Sequence, residues 1–96
     1  MIACYIIYSQ HADKFYIGFT QENVESRIAR HNDATYGTHY TSYTNDWKVF
    51  LVISCVSVGQ AMKIEKHIKK MKSRTYIQNL KAFPEISEKL KKKFPD

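Results

Sequence analysis

The chain has 96 residues, 44% of them hydrophobic, and a formal net charge of +6. That length bounds it to one domain near the small end for a self-sufficient core, so a polar residue on a buried face is costly and informative. The composition excludes a largely disordered chain, the short apolar runs exclude a membrane-spanning helix, and the basic balance (pI about 9.4) favours polyanions, nucleic acid before anionic membrane.

Residues 2–8 are rich in β-branched and aromatic side chains and read as a strand. A short polar stretch, 9–14, suits a hairpin connection, and 15–19 reads as the antiparallel partner. Gly18 inside that second strand signals a bulge or a close backbone approach. Thr20 or Asn23 caps the next helix, which carries Glu22 and Glu25 near its start and stops near Asn32. Its stripe consists of Val24, Arg27, Ile28 and His31.

Residues 34–46 are loop-like and aromatic. Residues 47–56 are nearly continuously apolar, which predicts a central strand covered on both faces. Ser57 caps a second helix over 58–71 with the stripe Ala61, Ile64, Ile68 and Met71, and Glu65 points with that stripe or at its edge. Ser73 starts a short helix bearing Tyr76, Ile77 and Leu80. Pro84 restarts the chain for a last amphipathic helix with Ile86, Leu90 and Phe94. The order β-β-α-β-α-α predicts an α+β fold: a small three-stranded antiparallel sheet flanked by helices.

Two cysteines, Cys4 and Cys55, lie in apolar strand-like runs and are expected as buried free thiols in a reducing compartment. No Cys/His spacing suggests zinc. The N-terminus carries no secretory pattern, so a soluble, cytoplasmic protein is expected. Most of the lysines fall in the second half, ending in the cluster Lys89, Lys91, Lys92 and Lys93. Solvated helix faces and a phosphate-tracking patch explain such lysines equally well.

Arg27 and His31 stand out. A single histidine on an apolar face is usually a satisfied core residue, and a single arginine reaches water along its stem. Two basic groups four residues apart on the packing stripe want an anion, a carboxylate or a phosphate. Glu65, beside Ala61 and Ile68, is a partly buried carboxylate that wants a cation: Arg27, a metal, or both. One carboxylate, waters and a substrate phosphate make an ordinary Mg²⁺ arrangement. Tyr5 and Tyr16 on adjacent strands can project both hydroxyls to one face.

These residues match a pattern. The chain resembles the GIY-YIG nuclease domain, in particular its small stand-alone, excision-nuclease-like members. The first motif aligns with Ala3-Cys4-Tyr5 and the second with Tyr16-Ile17-Gly18. The helix motif is Arg27 with His31 four residues on, followed by Asn32. Gly37-Thr38-His39-Tyr40-Thr41 looks like the family's glycine-tyrosine-threonine loop, and Glu65 with Lys66, Ile68 and Lys69 looks like its metal-binding glutamate helix. Ala3 and Cys4 replace the family's Gly and Ile, so Tyr5 carries the first motif. The resemblance covers roughly residues 1–80; a nuclease domain over 1–82 is followed by a basic helical extension over 83–96.

The resemblance implies a metal-dependent DNA endonuclease that hydrolyses one strand at a time, structure- or single-strand-selective, in repair, recombination or DNA processing. It implies Tyr5, Tyr16, Arg27, His31 and Glu65 as catalytic residues. Glu65 would hold one Mg²⁺ or Mn²⁺, a Lewis acid for the leaving 3′ oxygen, and Arg27 would balance transition-state charge. The general base is open between Tyr5, at an ordinary pKa of about 10, and His31, at about 6.5. Lys14, Arg30, His39, Tyr40, Lys69, Lys72 and Arg74 are candidate nucleic-acid contacts, and Asn79 a candidate supporting polar group. The partner is DNA, single-stranded, branched or nicked rather than sequence-specific duplex, with no membrane. Oligomeric state and any partner protein are not fixed by sequence. The competing class is a catalytically silent or partner-dependent nucleic-acid-binding module.

Overall fold

A computed structural model describes residues 2–33 and 44–95. Strands β1 (Ala3–Ser9) and β2 (Lys14–Thr20) form a hairpin, helix α1 (Val24–Asn32) follows, and β3 (Lys48–Ser54) completes the sheet. Helices α2 (Val58–Met71), α3 (Arg74–Ala82) and α4 (Pro84–Lys93) finish the chain. The architecture is α+β, a three-stranded antiparallel sheet in the order β2-β1-β3 with helices packed on it. Among the described residues no helix is long and apolar enough to cross a membrane.

The centre of the sheet is β1, not β3. Ala3 through Ile7 show no exposed surface, because β2 and β3 pair on either side and helices cover both faces. The expectation of a doubly covered β3 is corrected: β3 is an edge strand, shorter than its apolar run, with Val49 47% exposed, and Val56 lies beyond its end. A register shift opposite Ile6 and Ile7 sits in the β1–β3 ladder. Gly18 therefore marks no bulge; it pairs regularly with Tyr5.

The pleat splits the core. Cys4, Ile6 and Ile53 pack against Ile64, Ile68, Ile77, Leu80 and Leu90 on one face. Ala3, Tyr5 and Ile7 pack with Val24 and Trp47 on the other. Met71, expected on the α2 stripe, is exposed instead, in the last turn just before left-handed Lys72 ends the helix. Cys4 is buried, Cys55 half-buried just past β3, and both are free thiols. Burial, with the neighbouring Cys55 adding to it, pushes the Cys4 thiol far up, so it is an inert core group.

Side-chain caps fix the helix starts. Asn23, rather than Thr20, caps α1 by accepting from the Glu25 amide at 2.7 Å. Ser57 and Ser73 cap α2 and α3. Buried Gln60 joins α4 to α2: its Nε2 donates to the Lys91 and Phe94 carbonyls, satisfying the open end of α4. Helix α4 thus shares the main core through Leu90, Ile86 and Phe94.

Asn32 acts as a clamp. Its Nδ2 donates to the Trp47 carbonyl at 3.0 Å and its Oδ1 accepts the Trp47 amide at 2.6 Å. The side chain imitates a strand partner and fixes the end of α1 to the start of β3. This clamp sets the position of His31, one residue earlier.

Candidate active site

Tyr5 and Tyr16 project from the same sheet face because Tyr5 pairs with Gly18 and Ile7 with Tyr16. Helix α1 lies over that face and brings Arg27 and His31 down on it. Glu65 arrives from α2, which packs on the opposite face and contacts β2, an edge strand like β3. Tyr5, Tyr16, Gly18, Arg27 and Glu65 line one open cavity of about 410 Å³. Four of the five expected catalytic residues therefore meet at one hollow.

The fifth, His31, lies behind them. It is 4% exposed, and its Nε2 is 2.8 Å from the Tyr5 hydroxyl in a buried hydrogen bond. Its ring also packs on Tyr16, centroids 4.9 Å apart. Tyr16 in turn meets Trp47 edge-on. The Arg27 guanidinium donates to the same Tyr5 hydroxyl. With the imidazole proton on Nδ1, the chain of donation runs from Arg27 to the Tyr5 oxygen and from Tyr5 to Nε2.

Burial pushes the His31 pKa down to about 4, and the positive charge of Arg27 adds to that. Burial likewise raises the Tyr5 pKa, with Arg27 opposing. His31 is therefore neutral at neutral pH and a weaker base than an exposed histidine, and Tyr5 is a weaker acid than an exposed tyrosine. The two groups share one hydrogen bond, between the Tyr5 hydroxyl and His31 Nε2. Tyr5 also has no exposed surface.

This burial has a consequence for stability. The folded pKa of His31, about 4, lies below its ordinary 6.5. In that window the unfolded chain holds a proton that the folded chain does not. The stabilisation is complete above pH 6.5 and is lost as pH falls through 6.5 towards 4. We expect a loss of up to about 3 kcal/mol across this window from His31. Denaturant titrations at several pH values check it: His31→Gln should flatten the wild-type slope, and equal slopes would refute the assignment.

Glu65 is well placed for a cation. Its side chain is 14% exposed, and Lys69 Nζ lies 3.6 Å from Oε2. Lys69 also sits 5.8 Å from the Tyr16 ring centroid. Glu22, at the rim of the cavity, is paired with Arg30. Among the described residues no three His, Cys, Asp or Glu side chains gather into a metal cluster. One carboxylate facing an open, hydroxyl-lined hollow could hold a hard ion completed by water and phosphate oxygens.

Gly18 is a site residue whose role the sequence showed only as a close approach. A Cβ there would meet the Tyr5 hydroxyl at 2.7 Å and Tyr5 Cζ at 2.8 Å. The missing side chain is what lets the phenol lie flat across β2.

The candidate nucleic-acid residues divide. Lys14, Lys69, Lys72 and Arg74 line a second cavity. Arg74 is engaged with Asp13, and Arg30 with Glu22. Asn79 is on α3, outside the lining of the first cavity. His39 and Tyr40, with the rest of the 37–41 motif, fall outside the described residues.

The GIY-YIG catalytic domain matches residues 1–79. The chain is similar to the UPF0213 protein of Syntrophus aciditrophicus (strain SB), 33% identical over 82 residues that cover 84% of this chain and 93% of the relative. No solved structure matches significantly. With the two tyrosines, the arginine and the glutamate around one hollow and the domain matched along most of its length, the chain belongs to the GIY-YIG family of nucleases.

Proposed function

We propose that this protein is a divalent-metal-dependent DNA endonuclease that hydrolyses one phosphodiester at a time in single-stranded or branched DNA, in DNA processing such as repair or recombination. The observation that carries the reading is the convergence of Tyr5, Tyr16, Arg27 and Glu65 on one cavity, with His31 bonded to Tyr5 behind it. A silent binding domain gains nothing from a buried Tyr–His pair facing a carboxylate, since buried polar groups cost stability.

Arg27 exchanges its bond to Tyr5 for a non-bridging oxygen of the incoming phosphate. Its planar, permanently charged fork offsets the extra negative charge on phosphorus in the transition state. That exchange leaves the Tyr5 oxygen able to accept from a water instead. As the water oxygen attacks phosphorus, the water proton passes to Tyr5 and the Tyr5 proton to His31 Nε2, while the 3′ oxygen leaves with the bonding pair and takes a proton from solvent. Bound phosphate makes this transfer easier by offsetting the charge of Arg27 that disfavours imidazolium. Tyr16 orients the water or a phosphate oxygen from the cavity wall. Glu65 would hold Mg²⁺ or Mn²⁺, which supplies Lewis acidity at the leaving oxygen.

One cavity carries one set of groups, so one strand is cut per encounter. Labelled single-stranded, duplex, flap and four-way DNA, each with Mg²⁺, Mn²⁺ or chelator, tests the proposal. The expected result is metal-dependent cleavage of single-stranded or branched substrates. Binding without cleavage of any of them, in either metal, would sink it in favour of a binding module.

A further inference from the structure

The second cavity lies between the β1–β2 hairpin, the end of α2 and the start of α3, and has a volume of about 310 Å³. That is at the lower end of small-ligand sites. Its floor is apolar, from Phe15, Ile17 and Ile77, and its rim is basic, from Lys14, Lys69 and Lys72. Lys69 relates it to the candidate active site: it lines this cavity while lying 3.6 Å from Glu65 and 5.8 Å from the centre of the Tyr16 ring.

Arg74 gives this cavity its character. Its Nη2 donates to Asp13 Oδ1 at 2.7 Å and its Nη1 to Oδ2 at 3.2 Å. The carboxylate so held is pushed down to about 2, first by Arg74 and then by the Tyr8 hydroxyl, which donates to it at 2.6 Å. The guanidinium lies over the Phe15 ring, 5.2 Å from its centroid. Phe15 is braced edge-on by Phe50 and contacted by Tyr8. The positive charge of Arg74 is thus already balanced, while its planar group is fixed in place and the side chain stays 52% exposed. A charge-balanced arginine contributes little to phosphate attraction. A guanidinium held by a paired carboxylate and lying over an aromatic ring instead offers a platform for a base, with part of its ordering cost already met.

We propose that this cavity is a subsite for one unpaired nucleobase of the DNA strand whose phosphodiester occupies the neighbouring active site. The base stacks on Arg74 over the apolar floor, and Lys14 and Lys72 take its flanking phosphates, the combination used for single strands. A paired base cannot enter without leaving its stack, so the subsite selects single-stranded, flapped or frayed DNA. The proposal rests on the nuclease reading for its placement, but its test needs no cleavage.

The experiment measures wild-type affinity, in chelator, for a labelled oligothymidylate of about a dozen nucleotides, within the usual span of single-strand sites. An abasic residue is walked along the strand. The expected result is an affinity loss of about tenfold at one or two positions and little elsewhere, as stacking worth about 1–3 kcal/mol per base implies. Arg74→Lys, which keeps the charge and loses the planar fork, should flatten this profile, and Arg74→Ala should do the same. Lys14→Gln should leave the profile intact and reduce the salt slope by about 0.7. Thermal melts confirm that each variant is folded. A uniform abasic profile, an unchanged profile in folded Arg74→Lys, or no single-strand binding would overturn the subsite. A position-dependent profile with no cleavage of any substrate would instead leave the subsite and remove the nuclease reading.

Discussion

Glu65→Gln should reduce cleavage by on the order of 10³-fold or more in saturating Mg²⁺ or Mn²⁺, without weakening DNA binding in chelator. The substitution keeps the size and shape of the side chain, removes its charge and replaces one acceptor oxygen by an amide donor. Ile64 and Ile68, which hold α2 on the sheet, are untouched, so the fold should be unaffected. The lost pairing with Lys69 is a half-exposed i,i+4 contact at 3.6 Å, worth less than about 1 kcal/mol. A large rate effect with a small stability effect is the signature of a ligand to an ion. Binding should hold or strengthen slightly, because the variant removes a negative charge from a hollow that receives phosphate. Metal titrations separate the cases: a raised requirement for Mn²⁺ fits weakened ion binding. Wild-type cleavage by Glu65→Gln would remove Glu65 from the metal assignment.

Much of this site was legible because helix and strand periods leave few choices. Arg27 and His31 sit four residues apart on the stripe of Val24 and Ile28, so they had to face the sheet together. Tyr5 and Tyr16 follow from a short hairpin whose register places Gly18 opposite Tyr5. What stayed hidden depends on distant partners. Strand β3 read as central because its side chains are apolar, but strand order is decided by pairing, and β1 holds the middle. The basicity of His31 could not be judged without knowing its depth and the position of Arg27. Asn32 read only as the end of a helix and the residue after His31 in the motif, yet its amide supplies both partners for the Trp47 backbone. Arg74 read as a free phosphate contact, and only the tertiary fold sets it against Asp13, in the hairpin turn. Each miss is a long-range pairing that local patterning does not encode.

Gly18→Ala is the smallest change with a large expected effect. The strand backbone at this position accepts alanine, but the added methyl meets the Tyr5 hydroxyl at 2.7 Å, Tyr5 Cζ at 2.8 Å and Tyr16 Cε2 at 3.2 Å. Tyr5 cannot retreat, because it is fully buried against Val24, Trp47 and the α1 helix. Either the strands separate or the ring tilts, and both break the 2.8 Å bond to His31. Overpacking of this kind costs about 1–3 kcal/mol of stability. Displacing a reacting group by an ångström costs about 10²-fold in rate. The expected result is therefore a moderate fall in melting temperature with a fall of about 10²-fold in cleavage, the metal requirement unchanged. A double-mutant cycle isolates the cause. If Gly18 acts through the Tyr5 hydroxyl, then Tyr5→Phe already removes what Gly18 protects, and adding Gly18→Ala should lower the rate little further while still lowering stability. Independent, multiplying rate losses would mean that Gly18 serves the site by another route, such as the position of Tyr16. A Gly18→Ala protein as stable and active as wild type would show that the phenol does not lie across β2 at all.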